Sequence, residues 1–277
     1  MDQVTKVLTY KGQVVFEKVC MPDFNRVPKV YQKNEACFIF VNEGEFSLRT
    51  PEEMVPVSKS NGILAKCLDY FFESSPSQRG KANGFEVIGV YLHQSLLEEL
   101  FDFDVSHSKH KVDYNVKQFE IDNLLDNFRN GINILIDNPD LADEDIVKIK
   151  LKEFILLISK TQDAPQSDFL SSLFKTKQTE FTEIVNNNVF SNLSVEELAH
   201  LCSMSVSTFK RKFNEEFDES PKKYMSKMRL QRASEMLISK ESRISDVAYE
   251  LGYDTVSTFN RSFKKHFGKS PTEFKLG

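Results

Sequence analysis

Val206-Ser207-Thr208-Phe209 and Val256-Ser257-Thr258-Phe259 are the same four residues, fifty positions apart. The match continues at that offset: Arg211 with Arg261, Phe213 with Phe263, Phe217 with Phe267, Ser220-Pro221 with Ser270-Pro271, and Tyr224 with Phe274. Upstream, Leu198-Ala199 matches Val247-Ala248 at an offset of forty-nine, so the second copy has one extra residue in its turn. A fixed internal period of this kind marks a duplicated supersecondary unit.

Each copy reads as helix, short turn, helix. Ser194 followed three residues later by Glu197 is a capping-box signature for a first helix carrying Val195, Leu198, Ala199 and Cys202 on its apolar face. Ser205 then caps a second helix in which Phe209, Phe213 and Phe217 recur every four residues and face a core. The opposite face presents Ser207, Lys210, Arg211 and Asn214. In the second copy Phe259, Phe263 and Phe267 point inward, and Ser257, Asn260, Arg261 and Lys264 point outward. The aromatic stripes alone establish only packing, and a single surface arginine is more often a solvated charge. Two arginines at the same place in a repeated unit favour a shared task.

A helix entering a major groove must offer forked donors to guanine O6 and N7, or an amide to adenine, and Arg and Asn do this. Small serines near each helix start allow close backbone approach. Lys212, Lys264, Lys265 and Lys269 are expected where phosphates pass, contacts that fix position without reading sequence. Between the copies, Ser220-Pro221 supplies a cap and a first-turn proline for a helix running to about Ile238, with Tyr224, Met228, Ala233, Met236 and Leu237 available for packing. Lys222, Lys223, Lys227, Arg229 and Arg232 stud this spacer, and Arg229 is among those expected to meet phosphate. A rigid spacer would hold both reading helices on one face of a duplex, where successive major-groove segments are roughly 34 Å apart.

The arrangement resembles the DNA-binding domain of the AraC/XylS family. That resemblance rests on Val247-Ala248, Gly252-Tyr253, Phe259-Asn260-Arg261-Ser262-Phe263-Lys264 and Gly268-Lys269-Ser270-Pro271, and it covers Thr179 to Phe274. It implies base reading by Ser207, Lys210 and Arg211 in the first unit and by Ser257, Asn260 and Arg261 in the second. It also implies double-stranded DNA and RNA polymerase as partners, and activation as the usual role. The DNA-binding domain is placed at 178–277, with helix-turn-helix units at about 194–217 and 244–267 and the spacer at about 221–238. Two departures stand out: Cys202 where the family often has glycine, and Asp218 where the second unit has Gly268. Glycine suits a left-handed helix end, so some strain is expected there.

The net charge of −5 looks wrong for a nucleic-acid binder until the chain is divided near Phe174. From Lys175 to Gly277 there are 17 Lys and Arg against 14 Asp and Glu, leaving 19 against 27 in the rest. An acidic body thus carries a mildly basic DNA-reading module. With 40% hydrophobic and 28% charged residues, and apolar stretches such as Phe154 to Ile158 far shorter than a bilayer span, no membrane span is expected and the location is read as cytoplasmic. Cys20, Cys37, Cys67 and Cys202 lie singly, without a CxxC pair, and read as reduced thiols.

From Val4 to about His93 the chain offers short β-rich runs: Val4 to Leu8, Gln13 to Val19, Ala36 to Val41, Glu45 to Thr50 and Phe85 to Leu92. Asn42-Glu43-Gly44 reads as a hairpin turn and Asn61-Gly62 as another turn, favouring a small barrel or sandwich. Helices are expected over Asn115 to Asp137 and Asp143 to Ser159. The fold class is therefore α+β in two domains: a small cupin-like β-barrel with trailing helices at 1–160, and an all-α C-terminal domain. A linker with a short helix is placed at 161–177, centred on the polar Lys160 to Ser167.

In regulators of the family the barrel half senses a small effector or a protein, and the helices after it often form a homodimer. These letters leave both open. No cofactor and no metal are expected: a metal-dependent cupin needs a His-x-His pair, whereas His93, His107 and His110 are scattered, the last two in the polar run Ser106 to Lys111. An enzyme carried on a DNA-binding tail would need an activated cysteine beside His, Lys or Arg with a paired ligand, and a phosphate loop or nucleophile elbow is missing, so catalysis is not expected. A platform on which another protein docks remains the competing reading of this half.

Overall fold

The structure is a computed structural model. It describes residues 4–21, 24–29, 35–66, 68–74, 84–101, 114–161, 165–177, 179–238 and 242–276. The expectations for Cys67, His107 and His110 lie outside these residues. The chain divides into Met1–Gln178 and Thr179–Gly277.

In the first unit, β1 (Val4–Tyr10), β2 (Gln13–Met21), β4 (Glu35–Glu43), β7 (Asn61–Ala65), β9 (Phe85–His93) and β10 (Val116–Glu120) form one antiparallel sheet in the order β1-β2-β9-β4-β7-β10. A second sheet has the order β3-β8-β5-β6, from β3 (Arg26–Lys29), β5 (Phe46–Arg49), β6 (Met54–Val57) and β8 (Tyr70–Ser74). Of the barrel or sandwich that the turns favour, the strands form two packed sheets that do not close. Pro28 and Pro56 lie in the two edge strands of the smaller sheet, the places where a missing N–H is tolerated.

The period of two along β2, β4 and β9 sorts the core. Phe16, Phe38, Phe40, Ile88 and Val90 pack with residues of α2 (Asn123–Asp137) and α3 (Glu144–Lys160), whereas Val19, Ile39, Val41 and Val87 cluster with Phe46, Leu48 and Phe72 of the smaller sheet. Phe154 of α3 lies 5.1 Å from the Phe38 ring, 5.3 Å from Phe128 and 5.9 Å from Phe40. Each such fully buried side chain contributes about 1.5–3 kcal/mol relative to exposure. Asp122 and Asp143 cap these helices, accepting from the Leu125 and Ile146 amides at 2.8 Å each.

Four sequence expectations change. Val116–Glu120 is a strand paired with β7, and the expected helix begins only at Asn123. Asn61 and Gly62 lie in β7, the turn being Lys59-Ser60, and a Cβ on Gly62 would overlap the Phe38 ring. Glycine is there for close packing, which a turn-based reading cannot distinguish. Asn42 and Glu43 end β4, and Gly44-Glu45 leads from it into β5 of the other sheet, a corner and not a hairpin. Finally, α4 (Gln166–Ser172) buries Phe169 and Leu170 in the first unit's core, with Leu173 beside them, so the division between units falls after Gln178 and not within Lys160 to Ser167. A helix α1 (Gln94–Phe101), not anticipated, follows β9 directly.

Candidate nucleic-acid interface

The second unit is all helical: α5 (Phe181–Asn188), α6 (Val195–Leu201), α7 (Val206–Phe217), α8 (Pro221–Ile238), α9 (Ile244–Glu250), α10 (Val256–Phe267) and α11 (Pro271–Leu276). The Ser194–Glu197 capping box forms, with the Glu197 amide donating to Ser194 Oγ at 3.1 Å and the Ser194 amide to Glu197 Oε2 at 2.7 Å. The helix α6 then ends in a Schellman turn, in which the Met204 amide reaches the Ala199 carbonyl at 2.9 Å and the Ser203 amide the His200 carbonyl at 2.8 Å. In the second copy Tyr253 bonds to Ala248 at 3.0 Å and Gly252 to Tyr249 at 3.0 Å.

This equivalence corrects the expected glycine site. The left-handed residue is Ser203, with φ 51°, matching Gly252 with φ 76°, while Cys202 at φ −85° is unstrained. Asp218, φ 53°, does match Gly268, φ 74°, and both amides donate four residues back, at 3.0 and 2.9 Å. The extra residue of the second turn is Asp254, after which Thr255 caps α10 as Ser205 caps α7: their side chains accept from the Thr258 and Thr208 amides at 3.1 and 3.2 Å.

Each of α7 and α10 is held by an aromatic ladder. Phe209, Phe213 and Phe217 are spaced at 5.6 and 4.5 Å, with Tyr224 4.6 Å from Phe217. Phe259, Phe263 and Phe267 are spaced at 5.5 and 4.5 Å, with Phe274 5.4 Å from Phe267. Phe209, Phe213, Phe259 and Phe263 are fully buried. With both inner faces fixed in the same way, the outer faces are fixed too. Ser207, Lys210, Arg211 and Asn214 on α7, and Ser257, Asn260, Arg261 and Lys264 on α10, are all exposed. Lys265 and Lys269 are exposed as well.

Two of the residues expected at phosphate are engaged within the protein. Lys212 is half-buried, its ammonium 4.9 Å from the centre of the Phe181 ring, so it closes the aromatic ladder from the side. Arg229 is half-buried in α8 and donates from Nη2 to the Ser191 carbonyl at 2.6 Å. Burial holds its guanidinium below the ordinary value, partly offset by Tyr253, whose own hydroxyl burial pushes up. Its neighbours make it a brace between the first helical unit and the spacer. On the spacer, Lys223 and Lys227 lie 3.5 and 3.6 Å from Glu219, and Arg232 lies 3.0 Å from Glu235. The thiols of Cys37 and Cys202 are pushed up to about 12 by burial, which leaves them protonated and unreactive. Among the described residues, no group of three or more His, Cys, Asp or Glu is placed to hold a metal, and no helix is long and apolar enough to cross a membrane.

Residues 198–276 match the model of a helix-turn-helix domain, and residues 36–171 that of the ExsA N-terminal regulatory domain. No curated protein matches. Among solved structures, the C-terminal domain of AraT, a response regulator from Geobacillus stearothermophilus, is 30% identical over 35% of this chain and 79% of its own, with a TM-score of 0.32. An AraC-type regulator from Chromobacterium violaceum is 24% identical over 35% and 87%, with a TM-score of 0.32. ToxT from Vibrio cholerae O395 is 15% identical over 99% and 97%, with a TM-score of 0.36. These scores all lie under 0.5, so the assignment stands on the two domain models and the doubled motif. The chain belongs to the AraC-type family of DNA-binding transcription regulators.

Proposed function

We propose that this regulator reads DNA by placing α7 and α10 in adjacent major-groove segments. The observation that carries this reading is the pair Arg211 and Arg261: each is exposed at the same place of a duplicated unit, and neither has an ion-pair partner among the described residues. The eighteen residues of α8 give a spacer about 27 Å long at about 1.5 Å per residue, comparable to the roughly 34 Å between successive groove segments. Ser207, Lys210 and Arg211, with Ser257, Asn260 and Arg261, are the base-reading set, and Lys264, Lys265 and Lys269 face phosphate. Removing those three lysines should lower the slope of log affinity against log salt by roughly 2–3.

The first unit is the regulatory half, and the regulator acts as an activator in contact with RNA polymerase. A second copy of the chain is the partner favoured for α2 and α3, because Ile134, Ile149 and Leu156 are 60%, 64% and 41% exposed there, and Leu141 between the helices is 60% exposed. A protein regulator docking on the same residues is the competing occupant. The DNA reading is tested by interference from guanine N7 methylation on a bound fragment. Two sensitive patches about one helical turn apart support it, and a single patch contradicts the insertion of two helices.

A further inference from the structure

The inward row of the larger sheet has a gap in it. Along β2, β4 and β9 the side chains that face the smaller sheet are those of Glu17 and Val19, Cys37 and Ile39, and Val87 and Tyr91, but at the centre of the row stands Gly89, paired with Glu17 on one side and Ile39 on the other. The missing side chain leaves a cavity of about 240 Å³ between the sheets, walled by Val19, Ile39, Phe72 and Val87 and by Val27 of β3. A dry apolar cavity of about 150 Å³ is large enough for benzene, so this space admits a body somewhat larger than one aromatic ring.

The cavity ends at Glu17, Lys29 and Tyr91, which it shares with a polar chamber of about 450 Å³ that also takes in Gln13, Glu35 and His93. Within this group Lys29 Nζ donates to the Tyr91 hydroxyl at 2.7 Å, and that hydroxyl donates to Glu17 Oε2. The Lys29 charge is thus answered by Glu17 through Tyr91. His93 Nε2 is engaged with the Val14 carbonyl at 2.7 Å. What is left over is acceptors. Among the described residues, Gln13 Oε1 is buried with no hydrogen-bond partner, and Glu35, only 5% exposed, has His93 Nδ1 at 3.8 Å as its one ion-pair neighbour. A buried carboxylate and a buried amide oxygen without donors are both costly to leave unanswered.

We propose that this cavity binds a small primary amine, with its apolar body between the sheets beside Gly89 and its ammonium group donating to Glu35 and Gln13 Oε1. The site rests on the reading of the first unit as the regulatory half, and supplies the chemical class of its signal. Burial pushes the Glu35 carboxyl up, partly offset by His93 and Lys29, as expected of an acid lacking a full cationic partner. An anionic ligand would meet Glu17 and Glu35 with Lys29 already engaged.

The test is isothermal titration of the full chain at neutral pH with hexylamine, hexanol and hexanoate, which share one apolar body. Hexylamine is expected to bind saturably, one per chain, at least tenfold tighter than hexanol, with no binding of hexanoate. A Cβ at Gly89 meets Tyr91 at 3.4 Å and Cys37 Sγ at 3.6 Å, ordinary contacts, so Gly89→Val fills the cavity and should abolish binding. Glu35→Gln should reduce the preference for amine over alcohol below twofold, and it decides the matter if thermal melting shows that the valine variant does not fold. Absence of saturable amine binding, equal binding of hexanoate, or an unchanged amine isotherm in Glu35→Gln would overturn the site. These isotherms need no DNA, so a failure to recover a DNA motif leaves them intact and bears only on the DNA reading.

Discussion

The carboxamide of Asn115 pairs with both backbone groups of Lys177, Nδ2 donating to the carbonyl at 2.8 Å and Oδ1 accepting from the amide at 2.7 Å. Asn115 is 1% exposed, and Lys177 lies two residues before the second unit begins at Thr179. The chain leaving the first unit is therefore tied to it as a strand would be, by a side chain acting as its neighbour. Asn115→Ala removes both bonds and is expected to destabilise the first unit by about 1–3 kcal/mol. It should also speed proteolysis between Leu173 and Lys177. A cleavage pattern identical to that of the unaltered chain contradicts the clamp.

Arg211→Ala and Arg261→Ala should each lose on the order of 1–3 kcal/mol of specific binding and relax preference at one base position, whereas Lys265→Ala should weaken binding to all duplexes alike. Arg229→Ala should behave differently from all three: its guanidinium braces Ser191, so the melting temperature of the second unit should fall. Competition assays against random DNA, run beside thermal melts, separate the two outcomes. Equal loss on specific and random duplexes for Arg211→Ala contradicts its base-reading role.

Ser203 and Gly252 share a left-handed conformation, but only one of them is glycine. Ser203→Gly is expected to stabilise by about 0.5–1 kcal/mol, the relief of a side chain at positive φ set against the greater freedom of glycine in the unfolded chain. Gly252→Ala should destabilise by about 1–3 kcal/mol, because its Cβ would also stand 2.6 Å from Asn192 Oδ1. Urea unfolding of both variants gives the signs, and the same sign for both contradicts the equivalence of the two turns.

Burial raises the Glu73 carboxyl, but hydrogen bonds and charges from Arg49 and Arg26 outweigh it and hold the group below the usual carboxylate value. A folded value below the unfolded one contributes stability that is present above the unfolded carboxylate range and lost as pH falls through the folded value. Glu73 joins β3 to β5, accepting from Arg26 Nε at 2.8 Å and from Arg49. Unfolding midpoints from pH 3 to 7 should fall toward acid, and Glu73→Gln should lower the neutral midpoint while flattening that fall. An unchanged slope in the variant contradicts this assignment.

The second unit was legible because its pattern is written twice. Phe209 and Phe259, or Phe217 and Phe267, support each other, and the faces opposite them follow. The internal contacts of Lys212 and Arg229 are not legible in the repeat, because what they touch, Phe181 in α5 and the Ser191 carbonyl after it, lies outside it. In the first unit the long strands β2, β4 and β9 are legible as runs of β-branched and aromatic residues. The edge strands β3 and β6 did not, since each is four residues with an internal proline. The spacing of Phe119 to Leu124, Leu125 and Phe128 fits a helical face, but Asp122 caps the helix only after Phe119, which lies in β10. The chamber around Gln13, Glu35 and His93 gave no signal, because its members lie on three strands that only the sheet order brings together.

The most direct measurement is selection of genomic DNA fragments by the purified full-length protein near physiological salt, beside the Arg211→Ala/Arg261→Ala double variant. Recovery of one shared motif in two parts about one helical turn apart, absent from the variant, is the predicted result. The same motif recovered by both proteins would contradict the assignment of Arg211 and Arg261 as the residues that read DNA.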